Sequence, residues 1–72
     1  MIDYEPFWDT LKSKNENWYT LHKDYGISYS TLNRLKHGKD ISTRTINDLC
    51  RILDGKVEDV LRYIKSEDDQ LL

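Results

Sequence analysis

The residues best suited to chemistry lie in one short stretch near the middle of the chain. A helix over residues 29–37 with Leu32 and Leu35 inward would turn polar side chains outward or sideways; these are Tyr29, Ser30, Asn33, Arg34 and His37. Such donors and acceptors can bond to the edges of paired bases, because the major groove of DNA admits a helix. Arg34 is the strongest candidate, since the two-pronged contact of arginine with guanine is the commonest specific contact. The competing interpretation is an ordinary solvent-exposed helix surface.

Other kinds of chemistry find little support in the sequence. His22 and His37 are far apart and lack Cys or carboxylate neighbours at ligand spacing, so we expect no metal and no other cofactor. No Ser, His and acid combination lies in a nucleophile-elbow or glycine-loop context, so we expect no enzyme and no small-molecule substrate. Cys50 falls on an apolar stripe and has no second cysteine to pair with, which predicts a buried packing residue and a cytoplasmic protein.

The size and composition of the chain limit what it can be. It has 72 residues, of which 38% are hydrophobic and 33% charged, which is typical of one small globular domain. No apolar stretch approaches the roughly 18 residues needed to cross a bilayer, so we expect neither a membrane span nor a signal peptide. We expect a single domain over residues 1–66 and a polar, flexible tail over residues 67–72.

The formal net charge of -2 conceals three blocks of different sign. Residues 1–9 carry -3, residues 10–44 carry +4, and residues 45–72 carry -3. A basic middle between acidic ends suits a protein of which one face meets phosphates while the rest avoids non-specific adhesion. The alternative is chance asymmetry on a solvated surface.

Capping residues and apolar spacing predict five short helices around one core, with no strand. Pro6 suits the start of a first helix over about residues 6–14, because its missing amide costs nothing there. Asn17, Ser28 and Ser42 can cap the next three helices. Gly26, Gly38 and the pair Asp54-Gly55 end them. The residues predicted to face the core or its edge are Phe7, Trp8, Leu11, Trp18, Leu21, His22, Leu32, Leu35, Ile46, Leu49, Cys50 and Leu53, and Val57, Val60, Leu61 and Ile64 predict the fifth helix.

The most informative stretch is the pair of helices between Trp18 and Gly38. Helices joined by so short a turn must cross steeply, and apolar residues, among them Tyr25 and Ile27, are spaced to fill the angle between them. The chain here resembles the Cro/phage-repressor helix-turn-helix family of bacterial and phage transcription regulators, over about residues 7–64. The resemblance rests on the run Leu21-x4-Gly26-Ile27-Ser28-x3-Leu32-x2-Leu35-x2-Gly38-Lys39, followed by Ile46-x2-Leu49-Cys50 and Leu53-Asp54-Gly55.

This resemblance implies an all-α, lambda-repressor-like fold whose third helix lies in the major groove. Arg44 matches a position that reaches toward the minor groove in some members. At His22 the family usually has a small residue, so we expect either looser helix packing or an imidazole that tilts outward. The positions implied to read bases are Ser28, Tyr29, Ser30, Asn33 and Arg34, and those implied to meet the DNA backbone are Asn17, Trp18, Lys36, His37, Lys39, Ser42 and Arg44.

Two functions follow as hypotheses. The first is a sequence-specific, double-stranded-DNA-binding transcriptional regulator, expected to be a repressor. One recognition helix reads only a few base pairs, so a homodimer is expected, with Tyr63, Ile64 and Leu71-Leu72 as the candidate pairing surface. The second is a protein-interaction module with the same fold that does not bind DNA. Its motivation is the net negative charge together with tyrosines that would be exposed, since aromatic residues are enriched in interfaces.

Overall fold

The computed structural model describes residues 1–69. Gln70, Leu71 and Leu72, two of which were predicted to help pair subunits, lie outside the described residues. The elements are β1 (Ile2–Asp3), α1 (Glu5–Ser13), α2 (Trp18–Tyr25), α3 (Tyr29–Lys36), α4 (Thr43–Leu53), a 3-10 turn (Val57–Asp59) and β2 (Arg62–Tyr63). The predicted helical fold class is therefore confirmed, and the first four of the five predicted helices fall within a residue or two of their expected bounds.

Side-chain caps and left-handed residues set the helix ends. Asn17, Ser28 and Ser42 each accept a hydrogen bond from the backbone amide three residues ahead, which satisfies a donor that the first helical turn leaves free. Gly26 has φ of 74° and Gly38 has φ of 68°, a conformation that glycine adopts without the steric cost met by other residues. The predicted starts of α2, α3 and α4 and the predicted glycine ends of α2 and α3 are confirmed.

The hydrophobic core draws on all four helices and on both ends of the chain. Trp8, Trp18 and Cys50 are half-buried and pack against it, so Cys50 is less buried than predicted. Tyr25 was predicted to fill the angle between α2 and α3; instead it is 45% exposed, and its hydroxyl faces Glu16. The buried core residues are Tyr4, Phe7, Leu11, Leu21, Ile27, Leu32, Leu35, Leu49, Leu53 and Val60.

The predicted fifth helix is wrong. The segment after α4 forms one 3-10 turn and then strand β2, and of its four apolar residues only Val60 is fully buried, while Val57 is 54% and Ile64 42% exposed. Three of the four are β-branched, which lowers their preference for a helix. The backbone of this segment also finds partners outside itself, because the Asp59 carbonyl accepts the hydroxyl of Thr10 at 2.7 Å.

The prediction of no strand is wrong for the same segment. β2 pairs antiparallel with β1 in a two-stranded sheet, in the register Ile2 to Tyr63 and Asp3 to Arg62. The amide of Ile64 continues the pairing by donating to the carbonyl of Met1 at 2.8 Å. These long-range hydrogen bonds replace those that a helix would have made within itself, so no local sequence period announces them.

Candidate nucleic-acid interface

The turn between α2 and α3 holds the two helices in a fixed arrangement. The amides of Gly26 and Ile27 donate to the carbonyls of His22 and Leu21, each at 3.2 Å, so the turn is bonded to the last part of α2. Ile27 is buried, and it anchors the turn in the core. The start of α3 is therefore positioned by α2 through backbone geometry and apolar packing together.

The outer face of α3 is polar and exposed, as predicted. Leu32 and Leu35 are 0% and 2% exposed and attach the opposite face of the helix to the core. Within residues 1–69 no side chain covers the outer face enough to bury any of its predicted base-reading residues. The exposed residues of this face are Ser28, Tyr29, Ser30, Asn33 and Arg34. The structure thus brings together all five predicted base-reading positions.

Three of the predicted DNA-contacting residues, Asn17, Ser28 and Ser42, cap helices. Their side-chain oxygens already accept backbone amides, at 2.9 Å for Asn17 and 3.1 Å for each serine. At these helix N-termini the remaining backbone amides and the helix dipole both favour an anion, so each end can accept a phosphate. The side-chain oxygens of these three residues are therefore already used as caps, and the helix ends that they stabilise are what remains to bind an anion.

Two further residues predicted to contact the DNA backbone, Lys36 and Trp18, lie side by side. The ammonium nitrogen of Lys36, in the last turn of α3, is 5.4 Å from the ring centroid of Trp18, at the start of α2. Trp18 stacks in turn on Trp8 of α1, with centroids 6.1 Å apart and planes 17° apart. This stack supports a cation–π contact that holds the Lys36 charge beside the N-terminus of α2.

The loop after α3 carries the exposed residues His37, Lys39 and Ser42, as predicted. Its position depends on a residue that sequence reasoning did not single out, because Tyr4 donates its hydroxyl to the carbonyl of Lys39 at 2.8 Å. Burial, together with the nearby Asp40 carboxylate, raises the pKa of the Tyr4 hydroxyl, which keeps it protonated as a donor. No spacing pattern marks Tyr4, since it precedes the first helix.

The cationic side chains of this region are not neutralised within the described part of the chain. Arg34, Lys36, Lys39 and Arg44 are all exposed, and in residues 1–69 none of them forms an ion pair with a carboxylate. The ion pairs lie elsewhere: Arg62 with Asp3 and Glu5, Arg51 with Asp48, and the terminal amine with Asp69. The positive charge of the middle block therefore remains available to phosphates.

His22, a residue at which the chain departs from the usual helix-turn-helix pattern, is half-buried between α2 and α3. Its Nδ1 atom lies 2.8 Å from the carbonyl oxygen of Ile27, and its ring stacks on that of Tyr29. The imidazole thus fits at this position by turning toward the start of α3. Sequence reasoning expected an adjustment here but did not predict these two partners.

The described residues contain neither a metal-binding cluster nor a membrane-spanning helix. No group of three or more His, Cys, Asp or Glu side chains in residues 1–69 is arranged to hold a metal ion. None of the helices in that range is long and apolar enough to cross a membrane.

Comparison with known proteins decides the family. Residues 7–66 match the Cro/C1-type HTH DNA-binding domain family, and this range includes α2, the turn, α3 and α4. The chain belongs to that family. The match confirms the predicted family and the prediction of a DNA-binding regulator rather than an enzyme, and it favours the DNA-binding hypothesis over a module that does not bind DNA.

A solved structure supports the fold of this family member. The protein is similar to the crystal structure of transcriptional regulator VanUg, Form II, with a TM-score of 0.81 and 20% sequence identity. The likeness covers 90% of this chain and 87% of that one, so most of the fold is shared. No curated protein sequence matches the chain.

Proposed function

We propose that this protein is a sequence-specific transcription regulator that places the outer face of α3 in the major groove of its operator. The observation that carries the proposal is the combination of a polar, uncovered α3 face with the four exposed cations that no described carboxylate neutralises. We propose repression because it needs no activity besides DNA binding: a protein bound across a promoter blocks other proteins from the same DNA.

In this arrangement Arg34 donates two hydrogen bonds to a guanine, while Ser30 and Asn33 bond to neighbouring base edges. Lys36, beside Trp18, and Lys39 in the following loop meet phosphates on either side of the groove, and their role is to set position rather than sequence. His37 and the N-termini of α2 and α4 add to the backbone contacts, and Arg44 reaches toward the minor groove, where the negative potential is strongest at narrow sites.

The direct test is the dependence of DNA affinity on salt. One protomer on a half-site neutralises about four phosphates, which predicts that log K falls with log salt at a slope near -3.6. Fluorescence anisotropy of a labelled half-site duplex between 50 and 200 mM KCl measures that slope, and these concentrations are on the scale over which such contacts weaken. Lys39→Ala should reduce the slope by about one, whereas the matched control Lys56→Ala, outside the proposed interface, should not. A slope near zero for the unmodified protein would contradict the proposal.

We further propose that the protein binds a near-palindromic site as a homodimer. An α3 of only eight residues contacts few base pairs, and two copies double the contacts that discriminate between sequences. The exposed apolar residues of the small sheet support a second copy of this chain as the occupant, since Ile2, Tyr63 and Ile64 are 46%, 65% and 42% exposed. Ile2 and Tyr63 are paired directly across the β1–β2 sheet, and Ile64 follows Tyr63 in the chain.

Sedimentation equilibrium with Tyr63→Glu tests the dimer. The unmodified protein should sediment as a dimer on a full site, and Tyr63→Glu should remain monomeric and bind the full site no more tightly than a half-site. Tyr19→Glu is the control, because Tyr19 is as exposed at 58% but lies on α2. Equal loss of pairing in both variants, or a monomer in the unmodified protein on its full site, would contradict this surface.

A further inference from the structure

The imidazole of His22 connects α2 to the beginning of α3. Its Nδ1 atom is 2.8 Å from the carbonyl oxygen of Ile27, in the turn between the helices. Because a carbonyl oxygen only accepts hydrogen bonds, Nδ1 carries the hydrogen. The amide of the same Ile27 donates to the carbonyl of Leu21 at 3.2 Å. The Ile27 residue is therefore held from α2 at both its amide and its carbonyl.

The same imidazole covers one face of Tyr29, the first residue of α3. The two ring centroids are 3.8 Å apart, and the ring planes differ by 20°. Tyr29 nevertheless keeps 51% of its surface exposed. Within residues 1–69 the tyrosine hydroxyls that form hydrogen bonds are those of Tyr4, Tyr25 and Tyr63. The hydroxyl of Tyr29 thus remains available to another molecule, while the stack restricts the orientation of its ring.

We propose that His22 is a positioning residue for base recognition: by stacking on Tyr29 it holds the phenol ring in one orientation and so sets the preference at the base pair that Tyr29 contacts. This inference rests on the proposed function, in which the outer face of α3 meets the bases. A tyrosine without a stacking partner distributes itself over several staggered rotamers, and DNA binding must then select one. Immobilising one such side chain lowers affinity by roughly 2- to 10-fold.

Two substitutions separate this positioning role from a purely structural one. His22→Phe keeps an aromatic ring beneath Tyr29 but removes the donor to Ile27, whereas His22→Asn keeps a donor near the position of Nδ1 but removes the ring. Positioning through the stack requires that His22→Phe retain the base preference and that His22→Asn lose it. A role limited to holding the turn would produce the reverse order, because only His22→Asn can still bond to the Ile27 carbonyl.

The experiment begins with selection of duplexes from a random DNA pool by the unmodified protein, followed by affinities for the best duplex and for its single-pair variants. Tyr29→Ala identifies the base pair that Tyr29 contacts, as the pair at which preference disappears. His22→Asn should lower the preference at that base pair by roughly 2- to 10-fold. It should leave unchanged the preference at the other base pair, the one at which Arg34→Ala loses discrimination. His22→Phe should restore most of the preference at the Tyr29 base pair, and thermal unfolding followed by circular dichroism confirms that each variant is folded.

The inference is overturned if His22→Asn retains the preference at the Tyr29 pair, if it weakens all pairs alike, or if Tyr29→Ala changes the preference at no pair. Failure of the proposed function is a different result. An unmodified protein that selects no sequence from the pool overturns the proposed function, and with it this inference. A protein that selects one sequence, with the same preferences before and after the loss of the imidazole, overturns the inference alone.

Discussion

The hydroxyl of Tyr4 donates a 2.8 Å hydrogen bond to the backbone carbonyl of Lys39, thirty-five positions away along the chain. This contact connects the segment before α1 to the loop that follows α3. Lys39 is exposed and is proposed to meet a phosphate, so a buried aromatic residue outside the helix-turn-helix holds the backbone of one proposed phosphate-binding residue. The proposed DNA-binding surface therefore depends on contacts well beyond α2 and α3.

Tyr4→Phe tests this dependence. Loss of one hydrogen bond should lower the free energy of unfolding by about 1 kcal/mol. It should also weaken the binding free energy for all duplexes by a similar amount, because the loop is less well positioned. Urea unfolding and anisotropy measure the two effects. Tyr25→Phe removes a hydroxyl that bonds to Glu16 at an exposed site and should change DNA affinity little. Equal effects of the two substitutions on DNA binding would be evidence against the role of Tyr4.

Arg34→Ala and Lys39→Ala should have different effects on DNA binding, the first on base preference and the second on overall affinity. The first removes a proposed base contact, so affinity for the best duplex should fall by about 1–3 kcal/mol while the preference at one base pair relaxes. The second removes a proposed phosphate contact, so all duplexes should weaken alike. Affinities for the best duplex and its single-pair variants distinguish the two patterns. Uniform weakening by Arg34→Ala would assign it to the DNA backbone instead.

Gly26→Ala should destabilise the fold through backbone conformation alone. A methyl group at Gly26 meets no atom within 4 Å, but the residue has φ of 74°, which costs an L-amino acid about 1–2 kcal/mol. Gly26→Asn is the matched control, because asparagine adopts this conformation more readily and should lose less stability. Thermal unfolding of both variants measures the difference. Equal loss of stability in the two variants would contradict the assignment of the cost to the φ angle.

Cys50 should react slowly in the folded protein. Burial raises the pKa of its thiol, and the carboxylates of Asp59 and Glu58 raise it further. Since the thiolate is the reactive form, a raised pKa lowers its fraction at pH 8. Alkylation by iodoacetamide should therefore be slower in the native protein than in urea, and it should accelerate as pH rises above 8. Identical native and unfolded rates at the same pH would contradict this expectation.

The parts of the fold that could be predicted from the sequence are those that local interactions determine. Asn17, Ser28 and Ser42 cap helices by bonding to amides only three residues away, and Gly26 and Gly38 end helices through their own φ angles. The exposed face of α3 could be predicted because the spacing of Leu32 and Leu35 identifies the opposite, buried face. Each of these features depends on neighbours within one or two helical turns, so the local sequence contains the information.

The features that were missed depend on distant partners. Val57, Val60, Leu61 and Ile64 have a helical period, yet the segment ends in a strand because the backbone before α1 offers it a pairing edge. His22 stacks on Tyr29 only because the turn brings α2 and α3 together. Neither relationship is encoded by a spacing that a single sequence reveals.

The most direct test of the central claim, that the outer face of α3 recognises a specific DNA sequence, is selection of duplexes from a random pool by the unmodified protein and by Arg34→Ala in parallel. The account predicts that the unmodified protein enriches one short motif containing a guanine, and that Arg34→Ala enriches the same motif with this guanine no longer specified. Enrichment of no motif by the unmodified protein, or of an identical motif by both proteins, would contradict it.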